Sequence, residues 1–370
     1  MVRWTEVAEG RARISFPEGV FFNPQMGLCR DFSSLAAGAL GGKRRTMRVA
    51  DATAASGVRG IRYWLENRNV GEVSFVDLRK DAIAACRRNA RSNGLKGARF
   101  FAGPFDRFAI ESRDFDLIEI DPFGTPVPFL YDAVRAAKGG AALSVTATDM
   151  AVLCGAHPKA CLKNYQAKPL NTEYCHEAAI RILLGKIART VSEFNFGIKP
   201  VASLSHLHYV KVFVLLEEGA EKAVESLKTL GFVAHCNKCL NREWRKGIAN
   251  SLPAKCPECG ASYEYGGPMW LGELHDGGFL REMGKLNGKR DYAGREKIAK
   301  FLSLMGGEIG MPPFYYDLHA LCKKAGCRAA KPETAIGKLR KAGFRAVPTH
   351  FRFNSVKTDA PFGKVARAIK

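Results

Sequence analysis

From about residue 46 to residue 215, short apolar runs alternate with longer amphipathic ones. That rhythm predicts an α/β sheet. The expected strands are Met47–Ala50, Val73–Val76, Ala98–Phe101, Leu117–Ile120 and Ala142–Val145. Val58 to Asn67 reads as the first connecting helix and Arg79 to Asn93 as the next, with Ala and Ile recurring at helical spacing. After an amphipathic stretch from Thr172 to Phe194, the runs Lys199–His206 and Tyr209–Leu216 are joined so tightly that only an antiparallel hairpin can connect them. Glu221–Leu230 reads as a helix ended by Gly231, followed by a Cys-rich segment and a Gly-rich linker around Gly266–Gly278. Tyr315–Lys324 and Pro332–Lys341 then read as helices ending before Gly326 and Gly343, and Phe344–Val356 as a short hairpin. Two helices and a hairpin rich in Lys and Arg suggest a winged-helix-like module.

The chain has 370 residues, 46% hydrophobic and 25% charged, which excludes wholesale disorder, a collagen-like fibre and a membrane-embedded protein. No run approaches the roughly 18 apolar residues of a membrane span. The opening MVRWTEVAEG is too polar for a signal peptide, so a cytosolic protein without membrane contact is expected. Against 36 acidic residues stand 57 Lys and Arg, a net +21. Residues 1–200 carry 29 basic and 20 acidic side chains, residues 201–280 carry 8 and 9, and residues 281–370 carry 20 and 7. An excess concentrated at one end favours a nucleic-acid partner over a merely solvated basic face.

Asp51-Ala-Thr-Ala-Ala-Ser-Gly-Val-Arg-Gly60 follows one predicted strand and opens a predicted helix. Small residues there let backbone approach a ligand, and Gly57 can take a positive φ. Asp77 ends the next strand, 20 residues beyond Gly57, where a ribose-binding acid belongs. A simple cap on the following helix is the alternative. Turn and acid together indicate a nucleoside-containing cofactor.

The fourth strand ends Asp121-Pro-Phe-Gly124. The lone pair of a nucleobase amino group is delocalised into its ring, so the amine is a poor nucleophile. The Asp121 carboxylate and a backbone carbonyl near Pro122 would accept its N–H groups, and Phe123 would stack on the base. The competing reading is a strand-ending turn.

Cys236-x2-Cys239-x16-Cys256-x2-Cys259 has the spacing of a structural four-thiolate zinc site. Cys29, Cys86, Cys154, Cys161, Cys175, Cys322 and Cys327 read as small core residues, with Cys322 and Cys327 a candidate second pair. His176 in Tyr174-Cys-His-Glu177 has no second His at helical spacing and is expected to pack.

Taken together, these blocks resemble the archaeal-type tRNA (guanine26-N2)-dimethyltransferases. The likeness is carried by Val20-Phe-Phe-Asn-Pro-Gln-Met26 with Arg30-Asp31, Asp51 to Arg62, Asp121-Pro-Phe-Gly124, His157-Pro-Lys-Ala-Cys-Leu-Lys-Asn-Tyr165, Pro169 to Glu177, Gly267-Pro-Met-Trp-Leu-Gly272 and Ser355 to Pro361. It implies a Rossmann-like class I methyltransferase sheet with a closing antiparallel hairpin, S-adenosylmethionine as cofactor and tRNA as substrate. It implies that Arg30 pairs with the cofactor carboxylate, that Asp51, Ser56, Gly57 and Arg59 form its loop, that Asp77 holds the ribose, and that Ala102 and Gly103 lie at the adenine. Asp121 would be the catalytic acceptor, with Pro122 beside it. Phe21 or Phe22 would sandwich the guanine with Phe123, and Asn23 would close the pocket. Cys29 stands where the family has Asn, and Ala102-Gly-Pro-Phe-Asp106 departs from the usual acidic adenine contact. The expected division is 1–217 for methyl transfer, 218–266 for a helix and the zinc segment, and 267–370 for a basic RNA-binding region, in a monomer with no implied protein partner. The alternatives are an amino-methyltransferase acting at another RNA position and a non-catalytic zinc-containing nucleic-acid binder.

Overall fold

The structure, a computed structural model, describes residues 3–41, 47–248, 251–328 and 330–369. Its main sheet has seven strands, in the order Ala98–Ala102, Val70–Asp77, Met47–Asp51, Phe115–Ile120, Ala137–Ala147, Tyr209–Glu218, Phe196–His206. The first five are parallel: Val49 lies opposite Val73 and Leu117, Phe75 opposite Phe100, and Ile118 opposite Leu143. Such strands are covered on both faces and read as continuous apolar runs. The final two are joined through Leu207 and His208, so the chain must reverse between them. This is the expected methyltransferase sheet. Strand order reverses beside Met47–Asp51, and in open α/β sheets ligands bind beyond the carboxyl ends of the strands at such a reversal.

Val58–Glu66 and Lys80–Ser92 form the predicted helices. Gly57 starts the former at φ +77°, and a Cβ there would come 3.0 Å from Cys86 Sγ. At Gly60 a Cβ would press to 2.6 Å from the Phe75 ring, so glycine seats this helix close against its strand.

Two compact units divide the chain. The first comprises Met1–Ala147, Lys211–Glu218 and Gly277–Leu302, the second Thr148–Val210, Gly219–Asp276 and Ser303–Lys370. The consecutive division expected from sequence differs at two places: residues 148–210, expected with the methyl-transfer domain, belong with the second unit, and residues 277–302, expected with the RNA-binding region, belong with the first. Helix Gly277–Gly288 packs on helix Gly27–Leu40, and the Tyr292 hydroxyl donates to Glu66 Oε2 at 2.5 Å. The antiparallel hairpin Trp4–Glu9 with Ala12–Pro17 also belongs to this unit.

In the second unit the first part of the expected Gly-rich linker, Gly266 to Trp270, is strand. Glu264–Trp270 pairs antiparallel with Leu230–His235, and Gly267 exchanges backbone bonds of 2.8 and 2.9 Å with Lys168. Glycine serves close packing here: a Cβ at Gly266 would sit 2.8 Å from Leu170. Toward the end of the chain, helices Leu318–Ala325 and Pro332–Lys341 accompany a three-stranded sheet ordered Tyr316–Asp317, Ser355–Thr358, Ala346–Pro348. Leu318, Leu321, Ile336, Leu339 and Val356 share its core. Those are the elements expected of a winged helix.

One buried carboxylate ties this unit together. Glu177, on helix Cys175–Ser192, accepts from Arg181 at 2.7 Å, from Lys357 at 2.9 Å and from the backbone N–H groups of Phe314 and Tyr315. His176, beside it, lies only 3.5 Å from Ser205 Oγ. Burial pushes the Glu177 carboxyl up, but the Lys357 and Arg181 charges outweigh it and hold the group below the ordinary carboxylate range. Removing one partner from a buried pair costs about 3–5 kcal/mol. Glu177→Ala should therefore lower the urea midpoint sharply, whereas an unchanged midpoint would contradict this role. Because the folded pKa is depressed, the contribution is full at neutral pH and is lost as pH falls below the ordinary value of 4.5 toward the folded one. Parallel acid titrations of parent and variant should converge.

Candidate active site

Three segments of the first unit meet beyond the carboxyl ends of the parallel strands. The loop from Asp51 to Gly60 is pinned by the Ala54 N–H to Val76 O, 2.9 Å, and by the Ala55 N–H to Asp77 Oδ2, also 2.9 Å. Asp77 Oδ1 accepts from the Arg79 N–H at 2.9 Å, and Asp77 O accepts from the Gly103 N–H. The helix Lys80–Ser92 starts at Arg79 with no side-chain cap, so Asp77 braces the two loops instead of capping the helix, and each carboxylate oxygen keeps a second lone pair for a ribose hydroxyl. Ser56 Oγ is buried with no hydrogen-bond partner among the described residues. Small residues, a positive-φ glycine, an acid at the strand end and an orphan hydroxyl fit a nucleoside-bearing cofactor. Ala102 is exposed next to Gly103, and Asp106 lies exposed in the first turn of helix Phe105–Glu111.

Arg59 controls the neighbouring carboxylates. From the helix following the loop, its guanidinium pairs with Asp121 Oδ2, reaches Glu119 Oε1 at 3.3 Å and donates to Ser33 Oγ at 2.8 Å. Glu119 is fully buried and pairs with the equally buried Lys211, whose Nζ also donates to Thr146 Oγ1 at 3.0 Å. Tyr63 completes the group with a 2.5 Å bond to Glu119 Oε2. The Asp121 N–H donates to Thr53 Oγ1 at 3.1 Å, fixing the carboxylate at the strand end. Burial pushes the Asp121 carboxyl up, and the Arg59 and Lys211 charges more than reverse this, holding it below its ordinary range. Asp51 goes the other way: burial and the Glu119 charge push it up to about 7, although Gly60 N–H donates to it at 3.2 Å.

At the mouth, Phe123 is 75% and Phe21 46% exposed, and their rings meet edge to face with centroids 4.4 Å apart. Phe22 instead stacks on Phe16 at 5.1 Å beneath the Arg30 guanidinium, so Phe21 is the ring that faces Phe123. Asn23 accepts from the Gln25 N–H with its side chain and from Arg30 with its carbonyl, at 2.9 and 3.0 Å. Arg30 is held by a carboxylate of the protein itself: Glu9 takes its Nε at 2.6 Å and its Nη2, and shares Arg62 at 2.7 Å. Glu9, Glu119, Lys211, Thr53 and Thr146 were not anticipated. Two of them had a signal: a lone Glu and a lone Lys each interrupt an otherwise apolar buried strand.

The model of the N2,N2-dimethylguanosine tRNA methyltransferase family matches residues 3–370. The chain belongs to that family. It is 38% identical to the tRNA (guanine(26)-N(2))-dimethyltransferase of Methanobrevibacter smithii over 374 residues, covering 98% of this chain and 96% of that one. It is 39% identical to the enzyme of the same name from Thermococcus kodakarensis, covering 98% of both. The structure of Trm1 from Pyrococcus horikoshii in complex with S-adenosyl-L-methionine matches with a TM-score of 0.90 at 35% identity, covering 99% of this chain and 100% of that chain.

In the second unit of this family member, two short turns bring four thiols together. Cys236 and Cys256 each accept from a backbone N–H four residues on, Leu240 at 2.8 Å and Gly260 at 2.9 Å, and their own N–H groups donate to Asn241 O and Ala261 O. The sulfurs lie within 4.8 Å of one another, with Cys236–Cys259 at 3.4 Å and Cys239–Cys256 at 3.6 Å. Tetrahedral zinc with bonds of about 2.3 Å spaces its sulfurs by about 3.8 Å, so the thiols fit that ion. Four thiolates leave no position for water, which makes the role structural. A second group, His275, Glu308 and His350, does not fit a metal. His275 Nδ1 already accepts from the Ser203 N–H at 3.3 Å, and burial above all holds the ring's pKa well below the ordinary histidine range, which favours the neutral form. Its proton therefore sits on Nε2, leaving no lone pair for an ion.

Metal analysis of purified protein should find one zinc per chain, and Cys239→Ser with Cys259→Ser should lose it together with the fold of residues 230–270. Retention of zinc by the double variant would contradict the four-thiolate site.

Proposed function

We propose that the protein transfers methyl groups from S-adenosylmethionine to the exocyclic N2 of guanine 26 in tRNA, giving N2-methylguanosine and then N2,N2-dimethylguanosine. The observation that carries this reading is Asp121, favoured as a carboxylate by Arg59 at the reversal of strand order, with the exposed Phe123 two residues further on in edge contact with Phe21. The cofactor supplies an electrophilic methyl group on a sulfonium.

The protein's residues supply alignment and charge. Rings in edge contact leave no slot, since a base between two faces needs them about 7 Å apart. Phe21 and Phe123 must therefore part to admit guanine. With one Asp121 oxygen on Arg59, the carboxylate's remaining lone pairs can accept an N–H of the amine. That bond strengthens as positive charge grows on nitrogen during transfer, so it favours the transition state over the ground state. A methylated aryl-ammonium nitrogen is strongly acidic, so the Asp121 carboxylate that accepted its N–H can receive the released proton. A carboxylate with a depressed pKa is consequently no handicap, because its work is to stabilise charge. Positioning of amine and methyl in line supplies much of the remaining rate.

Asp121→Ala should lower methyl transfer by about 10²- to 10⁴-fold, measured by nucleoside analysis of tRNA, while tRNA affinity holds. Near-parental turnover would refute the mechanism.

The carboxyl-terminal module is assigned to gripping the tRNA backbone. Its helix Pro332–Lys341 exposes Lys338 and Lys341. Lys338→Ala with Lys341→Ala should weaken tRNA binding and reduce its log–log salt slope by about 2. An unchanged slope would return these charges to a solubility role.

A further inference from the structure

The turn between strands Ala346–Pro348 and Ser355–Thr358 carries Phe353, 83% exposed. Its neighbours are tied down. Phe351 stacks on Tyr315 with centroids 5.7 Å apart and planes 18° from parallel. Arg352 pairs through Nε with Asp317 Oδ2 at 2.6 Å, and its carbonyl accepts from Ser355 Oγ at 2.5 Å. Asn354 O accepts from the Leu318 N–H at 3.0 Å. The turn is thus built to present one aromatic ring to water from a fixed backbone, with little ordering left to be done on contact.

Charge identifies what the ring would meet. Residues 318–369 hold 12 Lys and Arg and only 2 Asp and Glu. Lys323, Lys324, Arg328, Lys338, Arg340 and Lys341 are exposed on the same module. An exposed aromatic on so basic a module matches the composition of a single-stranded nucleic-acid surface, where bases stack on rings while cations hold phosphates. A protein partner would leave this concentration of positive charge unmatched unless it were strongly acidic.

We infer that Phe353 is a stacking platform for an unpaired base of the substrate tRNA, a contact separate from the one made by Phe21 and Phe123 at the reacting guanine. This rests on the reading of the chain as a tRNA-modifying enzyme. A base outside the active site adds affinity without touching the reacting atoms, so its loss should appear in KM and Kd for tRNA and not in kcat.

The test uses full-length protein and an unmodified tRNA transcript, with methylation kinetics and fluorescence anisotropy of labelled tRNA measured side by side. Phe353→Ala should raise KM and Kd about tenfold, leave kcat within about twofold and leave the salt slope unchanged, because no cation is removed. Phe353→Trp should behave as the parent, and Phe353→Leu, which keeps apolar area and loses the flat ring, should resemble Phe353→Ala. Parental KM and Kd in Phe353→Ala would overturn the inference. Full function in Phe353→Leu would overturn it too, pointing to a plain apolar contact. A parent that binds tRNA in a Phe353-dependent way without methylating it would contradict the catalytic reading and leave this one standing.

Discussion

The Arg59 guanidinium, set between Glu119 and Asp121, is the interaction on which the catalytic unit depends. A buried cation and buried anions are each costly alone, so the site must be neutralised as a group. Lys211 answers Glu119, Thr146 answers Lys211, and Ser33 takes the remaining direction of Arg59. Asp121 is consequently fixed in place and in charge before any substrate arrives. Such preorganised charge is worth more at a largely buried strand end than in water.

The same arrangement explains why a late strand is inserted into the sheet. Tyr209–Glu218 lies next to Ala137–Ala147, bringing Lys211 beside Thr146 and within reach of Glu119. A strand added only for area would carry an apolar residue at that position. Its lysine instead anchors the charge cluster, so closing the sheet and building the site are one event.

Much of this was legible in the sequence because it depends on local patterns. Apolar runs gave the strands, Gly57 and Asp77 marked the turn to which the cofactor is assigned by proposal, and paired Cys-x2-Cys knuckles marked a four-thiol cluster that fits zinc. What stayed hidden depends on pairing between distant residues. Glu9 is 21 residues from Arg30, and Lys211 is 92 from Glu119. Nothing local tells which buried charge meets which. Gly266 and Gly267 were misread as a linker because glycine marks both a loose connection and a tightly packed strand; only Leu170 and Lys168, brought close by the fold, separate the two. The choice between Phe21 and Phe22 likewise needed Phe16, which removes Phe22 from the mouth by stacking on it.

Everything above converges on a carboxylate site acting on the amine of one guanine in tRNA. Two transcripts that differ only at position 26, guanine or adenine, test it most directly when incubated with the protein and methyl-labelled S-adenosylmethionine and then digested to nucleosides. The guanine transcript should yield N2-methyl- and N2,N2-dimethylguanosine, and the adenine transcript no label. Label of equal amount in both, or label in any nucleoside other than these, would contradict it.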